Sequence, residues 1–166
     1  MTKAQGPLYA VKFRRRRTGA TDYATRLALL KSGKPRAVVR KSDRYILVQI
    51  VEYGLQGDRT ICQASSRELT KYGFDGKCNT PSAYLTGVLA AHKALTKGVK
   101  AAVADIGRQT STKGGIIFTA IKGVADGGLE MSVGAEILPT KERISGAHLK
   151  AAAAKFEAAK AKIISG

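Results

Sequence analysis

Residues 36–64 read RAVVRKSDRYILVQIVEYGLQGDRTICQA, and the alternation inside this stretch decides the fold. Arg36 to Arg40 and Tyr45 to Tyr53 are strand-like, joined by the turn Lys41-Ser42-Asp43-Arg44. In the second segment Ile46, Val48 and Ile50 share one face, while Leu47, Gln49 and Val51 share the other. Gly54 to Asp58 supplies another turn, and Arg59 to Ala64 reads as a third strand. Three strands with such short connections form an antiparallel meander.

Working outward, Thr21 is a helix N-cap with Asp22 in the first turn of a short helix to Leu30. Ser32-Gly33-Lys34-Pro35 then breaks the chain before the first strand. Downstream, Thr80 caps a helix with Pro81 at its first position. Leu85, Val88, Leu89, His92 and Leu95 make its buried stripe, and Gly98 closes it. Lys100 to Ile106 (KAAVADI) is a short strand, with enough helix before it to cross over to a parallel neighbour. Gly114 and Gly115 open a second helix, with Ile117, Ile121 and Val124 inward and Asp126-Gly127-Gly128 at its end. Glu130 to Glu142 is a loop.

A last, alanine-rich helix starts near Ser145 and runs to about Ile163. Leu149, Ala152, Ala153, Phe156 and Ile163 make its apolar stripe, beside Lys150, Lys155, Lys160 and Lys162. The order β-β-β-α-β-α describes an α+β (mixed α/β) sandwich, with helices packed on one mixed sheet. The expected divisions are a basic arm with a short helix (1–30), a core (31–130), and a loop with the C-terminal helix (131–166).

Charge is the second strong signal. The 166 residues carry a net charge of +17, which points to an anionic partner. Residues 1–44 hold 13 Lys and Arg against two acids, Asp22 and Asp43, so much of the excess sits ahead of the second strand. Residues 12–26 read KFRRRRTGATDYATR. Guanidinium groups keep their charge and match phosphate oxygens in pairs. Four in a row, Arg14 to Arg17, repel one another, so the unbound arm is expected to be extended and solvated until a polyanion relieves the repulsion. Phe13 and Tyr23 flank the run and can stack on unpaired bases; Tyr23 serves equally as the apolar anchor of a short helix. The alternative for the whole run is a nuclear localisation signal or a solvated cluster.

A second constellation is Arg36, Arg40, Lys41, Ser42 and Arg44. Strand alternation places Arg36, Val38 and Arg40 on one face, expected at the sheet surface, with Lys41, Ser42 and Arg44 at the hairpin tip. Such a surface can lie along a phosphate backbone, or simply protect an edge strand by charge. A third, Gly107 to Gly115 (GRQTSTKGG), runs from a strand into a helix N-terminus attractive to phosphate. It lacks the GxxxxGK[ST] spacing of a nucleotide-binding loop and reads equally as an ordinary loop.

Enzymatic readings fare poorly. A nuclease-like sheet needs carboxylates converging on metals, yet Asp43, Asp58, Asp105 and Asp126 fall in turns or at element ends. His92 sits on a buried stripe and His148 has no carboxylate partner. No catalytic residue, metal site or cofactor is expected. Cys62 and Cys78 are too far apart for a metal knuckle and are expected to be reduced thiols of a cytoplasmic protein. No apolar run approaches the ~20 residues that span a bilayer, and no signal-peptide core is present, so no membrane partner is expected.

The run from Lys12 to Tyr23, with Arg26 after it, resembles the opening of the large-subunit ribosomal protein family numbered eighteen in the universal scheme, in its archaeal and eukaryotic form. Further matches follow in order: RAVVRKSDRYILVQI (36–50), LTKYG (69–73), NTPSAYLTG (79–87), DIGR (105–108) and AIKGVADGGL (120–129). Together they span about residues 8–150. The resemblance implies a mixed sheet with helices on it. It also implies binding of 5S rRNA, beside large-subunit rRNA and neighbouring large-subunit proteins, in the central protuberance. Carried over by position, the implied RNA contacts are Arg14, Arg15, Arg16, Arg17, Thr18, Thr21, Asp22, Tyr23, Arg26, Arg36, Arg40, Ser42 and Arg44. The long C-terminal extension of eukaryotic members is missing, which favours the archaeal type. The competing functions are a stand-alone RNA chaperone or regulator, and a metal-dependent nuclease.

Overall fold

A computed structural model describes residues 6–165. The first five residues of the expected arm, the side chain of Ala152 in the expected C-terminal stripe and that of Lys150 beside it lie outside the described residues. The meander forms as its alternation requires. Strands β1 (Arg36–Lys41), β2 (Ile46–Glu52) and β3 (Arg59–Ser65) pair antiparallel, and β4 (Val103–Asp105) adds parallel to β1, giving the order β3-β2-β1-β4. Ala37, Val39, Ile46, Val48, Ile50, Cys62 and Ala64 turn to the core and are buried. The register shifts between Ile50 and Val51, where Ile61 is the extra residue of β3, a bulge in the edge strand.

The fourth strand is shorter than KAAVADI suggested. Ala101 instead bridges Glu130 in parallel, so the chain before Val103 pairs with the segment after the second long helix rather than with β1. Each expected cap moves by one residue. Asp22 accepts from the backbone N–H of Ala24 and Thr25 and starts α2 (Tyr23–Leu30), preceded by the one-turn α1 (Arg14–Arg17). Asn79 accepts from Ser82 N and starts α3 (Thr80–Leu95), with Thr80 already inside the helix. Asp and Asn place a planar side-chain oxygen at the first free N–H groups, which the neighbouring threonines do not do here.

Helix α3 is buried nearly all round, beyond the single stripe its periodicity indicated, because it lies between the sheet and a second layer. That layer is α4 (Ile116–Asp126), with Ile117, Ile121 and Val124 inward as expected. Glycines let the two backbones touch. A Cβ on Gly123 would fall on the carbonyl of Tyr84, and one on Gly87 on the carbonyl of Ala120. Neither neighbour is a side chain that can swing away, so G123A should cost about 3 kcal/mol by forcing the helices apart. Urea unfolding reads this as a lower midpoint; a wild-type midpoint would show that the contact is not tight.

The C-terminal region is two helices rather than one. Helix α5 (Lys141–Ser145) stops at Gly146, whose φ of 77° suits only glycine well, and α6 (Lys150–Ser165) starts afresh. Phe156, Ala159 and Ile163 of α6 are buried, and Phe156 meets Tyr84 of α3 with ring centroids 5.7 Å apart. The expected loop from Glu130 to Glu142 contains a short 3-10 helix, Ala135–Ile137, and the start of α5.

A further 3-10 helix, Ser66–Tyr72, follows β3 directly and had no counterpart in the sequence pattern. Ser65 and Glu68 form a capping box at its start. Glu68 also pairs with Lys93 of α3, while Lys93 and Lys97 donate to the carbonyls of Gln63 and Ile61 on the edge strand β3. Burial opposes the charged form of Glu68, but the bonds from Lys93 and Ser65 N outweigh it and hold its pKa below the ordinary value. A carboxyl depressed in this way stabilises the fold above its unfolded pKa, and that contribution fades as pH falls through the folded value. Melting temperature should therefore drop below about pH 4, and E68Q should flatten part of that drop. An identical acid limb in E68Q would contradict the assignment.

Candidate nucleic-acid interface

The arm is shaped before any partner arrives. Arg14–Arg17 form one helical turn rather than an extended run, and Thr18 closes it by donating Oγ1 to the Arg14 carbonyl at 2.9 Å. The Arg15 guanidinium folds back on Thr21 Oγ1 with bonds of 3.1 and 2.9 Å. All four arginines remain exposed, so the turn concentrates their charge without neutralising it. Asp22 caps α2 and accepts from Thr25 Oγ1 at 2.7 Å, a bond that holds its carboxyl below the usual range. Tyr23 is half-exposed at the start of α2.

Arg26 and Arg36 have other duties. Arg36 lies on the strand face that alternation assigned, but it is only 3% exposed, against the expectation of a surface position. Its Nη1 bonds Asp105 and its Nη2 bonds Asp58, each at 2.6 Å. Asp58 also takes Nη2 of Arg26 at 2.8 Å. Burial works against ionised Asp58, yet the Arg26 and Arg36 bonds prevail and depress its pKa. Arg36 thus clamps β1 to β4 and to the β2–β3 turn, and Arg26 ties α2 to that same turn. The cover is tertiary: both acids come from a distant turn and a distant strand end, which alternation along one strand does not register. Nε of Arg36 is buried without a hydrogen-bond partner among the described residues.

The hairpin tip keeps its cations exposed. Arg40 donates to the Val39 carbonyl at 2.9 Å with its side chain nearly half exposed, and Lys41 and Arg44 face solvent. Ser42 is taken up by the turn, donating to the Tyr45 carbonyl at 2.8 Å and accepting from Tyr45 N at 3.0 Å. Next to Arg44, the Arg67 guanidinium sits 4.2 Å from the Tyr45 ring centroid. By hydrogen bonding and by charge it lowers the Tyr45 phenol pKa. The geometry is that of a cation–π stack. It adds Arg67 to the basic end of the sheet, a residue that sequence spacing gave no reason to choose.

The loop after β4 joins these two parts. Gln109 Nε2 donates to the Val39 carbonyl at 2.8 Å, and its Oε1 accepts from Lys41 N at 3.3 Å. Arg108 donates to the Gly19 carbonyl of the arm. A groove of about 510 Å³ runs beside the loop, lined by Lys41, Arg108, Gln109, Thr110 and Thr112 and the first turn of α4. Arm, loop and hairpin therefore present one basic surface. Among the described residues there is no cluster of His, Cys, Asp and Glu able to hold a metal ion, and no helix long and apolar enough to cross a membrane.

A family model described as "Ribosomal large subunit proteins 60S L5, and 50S L18" matches residues 8–102, which take in most of the arm, the hairpin and all of α3. The chain belongs to this family of large-subunit ribosomal proteins. Large ribosomal subunit protein uL18 of Korarchaeum cryptofilum is 52% identical over 155 residues, covering 93% of this chain and 80% of the relative. The uL18 proteins of Methanoregula boonei and Caldivirga maquilingensis are each 49% identical, over 89% and 90% of this chain and 86% and 73% of theirs. Membership makes the protein a structural component of the large ribosomal subunit rather than an enzyme.

Proposed function

We propose that this ribosomal protein binds 5S rRNA and helps anchor it in the central protuberance, beside large-subunit rRNA and neighbouring large-subunit proteins. The observation that carries the reading is the joining of two basic elements, distant in sequence, into one surface by Arg108 and Gln109. A flexible basic tail would neutralise any phosphate chain alike. A fixed array selects a backbone whose phosphates match its spacing, so shape is read through the backbone.

In this reading Arg14, Arg15, Arg16, Arg17, Arg40 and Arg44 meet phosphates, and Tyr23 offers a ring face to an unstacked base. Thr18, Thr21, Asp22, Arg26 and Ser42 set the shape that presents them. Arg36 belongs to the core. A gel-shift titration tests the proposal, with labelled 5S rRNA against an unrelated folded RNA of equal length at one salt concentration. Specific RNA recognition runs to a preference of about 1,000-fold or more over non-specific binding, by analogy with DNA-binding proteins. Equal affinity for the two RNAs would overturn it.

A further inference from the structure

The loop Gly107–Gly115 is fixed to the sheet at its base and reaches the arm at one point. Asp105 Oδ1 accepts from Gly107 N at 2.8 Å, and Gln109 makes both of its bonds to β1. From that base the Arg108 guanidinium donates to the Gly19 carbonyl, 89 residues earlier in the chain. Gly19 has φ of 64°, and a Cβ there would collide with the Arg108 guanidinium. Arg108 also lowers the pKa of Asp22 by its charge, and with Arg16, Gly19, Thr21 and Tyr23 it lines a cleft of about 360 Å³. A fifth guanidinium beside four others is repelled by them. The Gly19 carbonyl and the Asp22 carboxylate offset that repulsion, so the contact has a specific geometry behind it and not charge alone.

We propose that Arg108 is the positioning residue of the arm: it latches the Arg14–Arg17 turn to the sheet before RNA arrives. The latch removes ordering entropy that a loose arm would lose on binding. Its consequence for affinity rests on the 5S rRNA reading above; the docking itself does not.

Limited trypsin digestion of the free full-length protein reads the docking directly, because Arg14 to Arg17 are themselves cleavage sites. R108A should be cut there about fivefold faster than wild type, since cleavage follows the population of the undocked arm. K113A, which takes the same charge from the same loop, should be cut at the wild-type rate. In 5S rRNA titrations R108A should lose more affinity than K113A at an equal loss of charge. Unchanged cleavage in R108A overturns the latch. An equal affinity loss in the two variants overturns the part the latch plays in binding and makes Arg108 one phosphate contact among several. If the wild-type protein shows no preference for 5S rRNA while R108A is still cut faster, the latch stands and the functional reading fails.

Discussion

Replacing Arg14, Arg15, Arg16 and Arg17 together with alanine should weaken 5S rRNA binding by about 100-fold near physiological salt. The larger part of that loss is counterion release. Each phosphate contact removed lowers the slope of log K against log salt by about 0.7 to 0.9, so the slope should flatten by roughly 3 if all four arginines reach phosphates. The folded turn sharpens the expectation. Because all four side chains leave one helical turn and stay exposed, their effects should be roughly equal, and no single arginine should account for the whole change. None of the four is buried, so melting temperature should hold. A titration series in potassium chloride measures all of this, and an unchanged slope would take the arm out of the interface.

R36A should do the opposite, crippling the fold rather than the interface. Its guanidinium holds Asp58 and Asp105 at 2.6 Å each, and Asp105 is nearly buried. Deleting one partner of a buried ion pair leaves an uncompensated charge, a cost of about 3 kcal/mol or more. That is a large share of a small domain's stability. R40A removes a neighbouring arginine of the same strand and face but leaves the clamp intact, so its urea midpoint should stay near wild type while its RNA affinity falls. If R36A instead unfolds like wild type and loses only RNA affinity, Arg36 is an interface residue and the buried clamp is wrong.

The contrast between Arg36 and Arg40 shows where reading the chain succeeds and where it stops. Alternation puts both on one strand face, and they are on one face. It says nothing of which end of that face is covered, because the cover comes from Asp58 and Asp105, 22 and 69 residues away. The same limit applies to α3. Leu85, Val88 and Leu89 of its expected stripe are buried but Leu95 at its end is exposed, and the opposite side is buried too, against α4, through Gly87 and Gly123. A glycine inside a helix looks like a weakness in one dimension and is a backbone contact in three. The arm makes the point for the site. Its charge is plain in the run of arginines, and its turn is closed by local bonds from Arg15 and Thr18, whereas the bond that fastens it at Gly19 comes from a loop far along the chain.

A surface built for one RNA should keep that RNA when the subunit comes apart. The direct measurement is the RNA recovered with the native protein when large subunits are dissociated under non-denaturing conditions and the protein is captured. 5S rRNA should be recovered in near-stoichiometric amount. Recovery of the protein with fragments of the larger rRNA and no 5S rRNA would contradict it.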